Sequence, residues 1–321
     1  MGERAGVAPP TPVRLGIGRP GAGYPLAGRA RRRALREAAA GYLFLLPGLV
    51  PMLLFVLLPI FGGLFFSFLE WNLLQPWTFV GLENYRKLVA DPEFWGALRV
   101  SATYMVGVVP AGMLLSLCLA LALNHGRRGI LFYRTLYFMP VVTATVAVAL
   151  LWRWLYAGQL GLINTLLALV GVEGPNWLGD ADWALPAVML MSVWKGLGYT
   201  MVLFLAGLQG IPEHLYDAAK IDGAGAWARF RHVTLPLLSP TTFFIVVVGL
   251  IGALQVFDQI FVMTSGGPYR ATVSISYFIY ETGFKLLHMG YAAAIAWVLF
   301  VIIFLVTLVQ WRLQSRWVHY E

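Results

Sequence analysis

Six apolar segments, each long enough to cross a bilayer, decide what this chain can fold into. They lie near residues 42–69, 98–123, 135–157, 184–208, 237–263 and 288–311. A helix needs about 20 residues to cross a hydrocarbon layer roughly 30 Å thick. An isolated strand would leave its backbone groups unpaired in lipid, so each segment is expected to be helical. Only 12% of the 321 residues are charged and 59% are apolar, against about 25% charged in a soluble domain. There are too few charges to clothe a water-facing surface. The expected fold class is an all-α membrane protein with six transmembrane helices. Pro47, Pro51, Pro59, Pro110 and Pro140 fall inside spans, where each removes a backbone donor and is expected to kink its helix.

Charge sets the expected orientation. Residues 1–40 are rich in Arg, Gly, Pro and Ala without apolar periodicity, and are expected to be a disordered basic tail. Gly16-Ile17-Gly18-Arg19-Pro20-Gly21 within it fits a dinucleotide-binding pattern, but no strand precedes it and Pro20 would interrupt the helix it should open. The tail, loop 124–134, loop 209–236 and the end 312–321 together hold sixteen Lys and Arg, and the opposite side holds four. Cytoplasmic loops carry that excess, so both termini are expected in the cytoplasm of a bacterial cell, with the chain in its membrane. The formal charge of +8 is then explained by topology and contact with anionic lipid, with no need for nucleic acid. Loop 158–183 carries Glu173, Asp180 and Asp182, and its Trp177 and Trp183 fit an interfacial aromatic belt. Cys118 is the one cysteine, which excludes an internal disulfide and a cysteine-rich metal site.

The stretch from Leu208 to Pro240 carries the most information. Pro212 suits the first position of a helix, and Glu213 and Asp217 suit its early turns. Ala218 and Ala219 favour helix, and Asp222-Gly223 signals a turn, with Gly223 free to take positive φ. A second short helix is expected from about Ala226 to His232. Ala226, Trp227 and Phe230 share an apolar face there, while Arg229 and Arg231 point elsewhere. Two readings of that face stand open. It dips into the lipid interface, or it docks in a groove of a separate cytoplasmic protein.

Tyr216-Asp217-Ala218-Ala219-Lys220-Ile221-Asp222-Gly223-Ala224, then Phe230 and Thr234-Leu235-Pro236, resemble the cytoplasmic coupling motif of ABC importer permeases. That pattern reads Glu-Ala-Ala, two residues, Asp-Gly-Ala, then a distal Leu-Pro. Asp217 stands where the pattern has Glu, which keeps the charge. Phe79-Val80-Gly81-Leu82-Glu83-Asn84-Tyr85, Asn176-Trp177-Leu178, Phe204 to Gln209, Gln255-Val256-Phe257-Asp258 and Thr264-Ser265-Gly266-Gly267-Pro268 resemble the carbohydrate-importer branch, close to the maltose and glycerol-phosphate type. The resemblance covers roughly residues 40–315. It implies a type I ABC importer bundle with a coupling helix. It also implies a second permease as heterodimer partner, two ATPase subunits and an extracytoplasmic sugar-binding protein. Glu213, Tyr216, Asp217, Ala218, Ala219, Asp222, Gly223, Ala224, Trp227, Phe230 and Pro236 are the candidate coupling residues. No Gly-x-x-x-x-Gly-Lys-Ser/Thr loop occurs in the chain. ATP is therefore expected to be used by the partner ATPases, with no cofactor bound here.

Polar residues inside spans mark candidates for the solute path. Lys195 sits mid-span, where a charge costs roughly 2.5–3.5 kcal/mol and is expected to face the bundle interior or water. It either meets solute or pairs with an acid of this or the partner subunit. Gln255 and Asp258, three apart on the expected fifth span, line the path or bond between helices. Trp194 and Tyr199 stack on a sugar ring or pack. His125, His214, His232, His288 and His319 form no metal-spaced pair, and no catalytic constellation emerges. An ion-gradient-driven secondary transporter would show paired intramembrane acids and an internal repeat. A membrane enzyme would cluster His or carboxylates near one interface. Neither pattern is found.

Overall fold

The computed structural model describes residues 26–124, 129–158 and 161–318. The disorder expected over residues 1–25, and the roles of His125 and His319, lie outside them. Over residues 26–40 the expectation is corrected, because helix α1 runs Leu26–Met52. The segment holds six Ala and five Arg among its fifteen residues, and both form helices whatever the net charge. A π-helical turn, Leu53–Leu57, leads into α2, Leu58–Ser67. The turn closes with Leu58 N–H on Leu53 O, immediately before Pro59. The π geometry absorbs a proline that lacks an N–H and crowds the preceding turn. The chain divides into two units, Met1–Ile60 and Phe61–Glu321.

In the larger unit, β1 (Leu69–Glu70) and β2 (Thr78–Phe79) pair antiparallel, Leu69 opposite Phe79 and Glu70 opposite Thr78. Helix α3 (Glu83–Ala90) comes next. Its buried Asn84 donates to Ser67 O and Leu69 O, both at 2.9 Å, and so ties the hairpin to the end of α2. Helix α4 runs Pro92–Leu123, starting six residues before the expected 98. Asp91 Oδ1 accepts from Glu93 N at 2.9 Å and Pro92 holds the first turn, a start signal that an apolar scan passes over.

The third expected span, 135–157, is corrected in form. It consists of α5 (Ile130–Val142) and α6 (Thr145–Leu155), bent by 98°. Pro140 weakens the last turn of α5, and Thr143 is extended at φ −76°, ψ 138°. Helix α7 (Leu162–Leu169) is tied to the loop at its C-terminal end by Asn164, which donates to Pro175 O at 3.1 Å and accepts from Trp177 Nε1 at 2.6 Å. Helix α8 (Ala181–Gln209) is unbroken despite Pro186. Its Met189 faces Gly107, and its Leu197 O accepts from Ser116 Oγ at 3.1 Å. Helices α4 and α8 therefore run parallel. Pro92 and Ala181 begin at one end of the bundle, and Gln209 stops at the other.

Beyond Gln209 come α9 (Glu213–Ile221), α10 (Ala226–Arg229), a π turn at Phe230–Thr234 and α11 (Leu235–Leu237). Ala226 to Leu237 forms one helical run, which bends by 62° into α12, Ser239–Leu254. The expected fifth span, 237–263, is thereby corrected at both ends. Pro240 cannot donate to Pro236 O, and Ser239 Oγ does so instead at 2.5 Å. At the far end the helix stops at Leu254, and α13 (Asp258–Met263) is a separate turn and a half. The break is held from outside: Val256 O accepts from Ser274 Oγ at 2.7 Å. Irregular backbone at this depth is tolerable when protein satisfies it. Then come α14 (Ile275–Tyr280), a π turn at Glu281–Lys285 and α15 (Met289–Gln314). Among the described residues four helices are long and apolar enough to span, and up to six spans result when each bent pair is one crossing.

Small residues let the helices approach. A Cβ at Gly198 of α8 would overlap the backbone of Tyr137 and Phe138 in α5. Gly249 of α12 faces Val109 of α4. Lipid supplies no hydrophobic drive between helices, so such close contact is what binds them. One buried cluster centres on Phe94, Tyr104, Val188, Met191, Ile260 and Ile295, and a second on Ala120, Met201, Phe204 and Leu238.

Candidate functional site

The segment after Gln209 folds as the expected helix–turn–helix. Pro212 proves to be the N-cap residue of α9, one position earlier than expected. At the other end, Gly223 has φ +78°. Ala224 N donates to Ala219 O at 2.9 Å and Gly223 N to Lys220 O at 3.0 Å. These two bonds define a Schellman stop, which needs glycine at the left-handed position. The Asp222-Gly223-Ala224 run is thus the device that reverses the chain. Tyr216 Oη and Thr234 Oγ1 lie 3.0 Å apart, which clasps α9 to the π turn. Lys220 pairs with Asp217 at 2.8 Å, an exposed contact that contributes little. Glu213 and Ala218 are exposed, and Phe230 and Pro236 are half-buried. Trp227 is 70% exposed, its ring 5.5 Å from that of Phe230. The expected apolar face therefore exists. The second helix also reaches five residues past the expected His232, to Leu237, because the π turn accommodates Pro236 as the earlier one accommodates Pro59.

A cavity of about 250 Å³ lies between α4, α8, α12 and α13. Its polar lining is Tyr104, Ser192, Tyr199, Thr200 and Gln259, with no charged group. The Tyr104 hydroxyl meets Ser192. Of the five path candidates only Tyr199 lines it. Trp194 lines a separate groove with Tyr137 and Pro140, its ring 5.4 Å from Trp152. Lys195 is half-buried and lies beside the cavity stripe by helical rotation. Among the described residues no acid lies within ion-pair distance of it. Gln255 and Asp258 do not share a helix face: Gln255 caps α12 and Asp258 opens α13. Both are exposed. The amide that reaches the cavity is Gln259. Ser192, Gly196 and Thr200 recur at helical spacing along α8, and that stripe of small and hydroxyl residues is the signal in the sequence that could have found the lining.

Membrane-length helices around an uncharged cavity, with a helical knuckle at one end, define a membrane transport subunit. The chain belongs to the family described as "Binding-protein-dependent transport system inner membrane component", which it matches over residues 109–319. Its relatives are permeases, membrane subunits of transport systems rather than enzymes. It is 37% identical over 295 residues to the probable ABC transporter permease protein YesP of Bacillus subtilis (strain 168), covering 90% of this chain and 95% of that one. It is 38% identical over 275 residues to the trehalose/maltose transport system permease protein MalF of Thermococcus litoralis, covering 85% and 93%. Among solved structures, a chain of a bacterial ABC transporter that imports the acidic polysaccharide alginate superposes with TM-score 0.79, covering 89% and 99%, at 24% identity. That likeness establishes a shared fold.

Proposed function

We propose that this chain is one of two permease subunits of an ATP-driven sugar importer and forms half of its translocation path. The observation that carries this reading is the exposed Trp227 ring packed on half-buried Phe230, held by the glycine stop at Gly223 and the Tyr216–Thr234 clasp. An apolar ridge that follows the end of α8, before α12 begins, suits the helix-in-groove mode of docking. Its partner is an ATPase subunit, which hydrolyses the ATP. The importer holds two ATPases, a second, non-identical permease and an extracytoplasmic binding protein. Both termini and the ridge lie in the cytoplasm. ATPase closure moves the ridge, and α8 and α12, which flank it in sequence, carry that motion to the cavity. The equilibrium shifts only as far as ATP and solute bind its two states unequally.

A sugar is supported by the relative named for trehalose and maltose, and by hydroxyl and amide groups lining an uncharged cavity. The test is solute-stimulated ATP hydrolysis by the reconstituted complex. Gly223→Pro removes the left-handed turn and Asp217→Arg reverses the charge on α9. Both are expected to lose stimulation and to weaken assembly. Full stimulation in both variants would remove the segment from coupling.

A further inference from the structure

Two cavities lie at the end of the bundle opposite α9, of about 490 and about 410 Å³, and they share His288 and Tyr291. Together they form one trough from Trp71 to Phe278, with a largely apolar wall in the second cavity. Each is within the range of about 300–1,000 Å³ typical of small-molecule sites. The second cavity is built from segments distant in sequence. Tyr291 Oη donates to Asp91 Oδ2 at 2.6 Å. Arg270 pairs with Glu93 and, at 2.9 Å, with Glu281. Lys285 Nζ donates to Tyr277 Oη at 2.8 Å, and that bond holds its pKa above the ordinary lysine value.

One group in this network is unsatisfied. Thr282 is 2% exposed, it lines the second cavity, and among the described residues its hydroxyl has no hydrogen-bond partner. A buried hydroxyl without a partner carries a desolvation cost, so its position calls for a ligand group. The charges decide which kind. In the second cavity Asp91, Glu93 and Glu281 face Arg270 and Lys285, both engaged inside the network, and the first cavity adds one of each sign, Glu70 and Lys87, so acids outnumber Lys and Arg along the trough. An anion would meet repulsion here, whereas sugar hydroxyls find carboxylate acceptors and the Tyr291 and Phe278 rings to lie against.

We infer that this trough is a second solute site, which takes an uncharged saccharide at the outer end of the bundle before the central cavity does. The inference rests on the sugar-importer reading and adds that the cargo is neutral. Its test uses the complete reconstituted importer in nanodiscs without the binding protein. Maltose, maltotriose and trehalose are the probes, with glucose 6-phosphate as the charged control, and binding is read by saturation-transfer NMR. Uptake of each sugar by the importer with its binding protein is measured in parallel. A carried sugar is expected to bind and the phosphate not to. Thr282→Val, which keeps the side chain's shape, is expected to weaken binding about fivefold, as loss of one hydrogen bond does, with the melting temperature unchanged or raised. Leu286→Trp, which fills the trough from its rim, is expected to abolish the component of binding that Thr282→Val weakens and to leave the central cavity's component in place.

A lowered melting temperature with unchanged binding in Thr282→Val would make the hydroxyl structural and overturn the site. Wild-type binding in Leu286→Trp would do the same. Weaker capture of the binding protein by both variants, with saccharide binding intact, would make the trough a protein-docking cleft and also overturn it. If the importer carries a probe sugar that the complex does not bind, the site fails while the sugar reading stands. If it carries no saccharide, the sugar reading falls and the site with it.

Discussion

Gly198 and Gly223 answer to different constraints. Gly198 gives the α5 backbone room to touch α8. Gly198→Ala is expected to force the two helices apart and to cost about 1–3 kcal/mol, the usual range for overpacking, seen as a lower melting temperature of the purified complex. Gly223 supplies φ +78°. Gly223→Ala is expected to cost about 1–2 kcal/mol and to lower stimulated ATP hydrolysis without changing the bundle. Lys195 has no acidic partner among the described residues and sits at the edge of the cavity stripe. Lys195→Met is expected to raise the uptake KM severalfold while assembly is retained, and an unchanged KM would take it out of the path. Gly223 was legible in the sequence because Asp-Gly signals a turn wherever it stands. The cavity lining was not. Gln255 and Asp258 drew attention by being polar inside an apolar run, but the helix breaks between them and Gln259 turns inward instead.

At the scale of elements, the sequence revealed which segments are helical and concealed where they bend. Apolar length alone located six segments, and hydropathy cannot register that 135–157 folds back by 98°. Pro140 marks the place but not the angle, which is set by where α5 packs on α8. The break at Gln255-Val256-Phe257 has no proline or glycine. It exists because Ser274, eighteen residues further on, satisfies Val256 O, a contact no local pattern encodes. Ser101 makes a similar long link, its Oγ accepting from Ile275 N at 2.9 Å across 174 residues. Ser101→Ala would leave that buried amide unpaired, for a cost of about 1–3 kcal/mol. The expected result is a lower melting temperature and faster amide exchange at Ile275, and unaltered exchange there would show that the link does not hold α14. Both π turns that precede prolines lie in continuous helical runs, so Pro59 and Pro236 are absorbed rather than acting as stops.

At the scale of the whole molecule, the chain joins a neutral cavity among its helices to an apolar knuckle at one end, with α8 and α12 as the rods between them. A buried aromatic anchor at an interface contributes about 2 kcal/mol or more. Trp227→Ala is therefore expected to weaken association with the ATPase roughly thirtyfold while the isolated permease melts as before, and loss of the permease fold itself would assign Trp227 to packing instead. The claim on which the transport account depends is that Ala226 to Phe230 touches a separate motor subunit. A photocrosslinking residue at Ala226, in membranes containing the assembled importer, tests it most directly. The account predicts a crosslink to the ATPase whose yield changes when ATP is bound, and crosslinks to lipid alone in both states would contradict it.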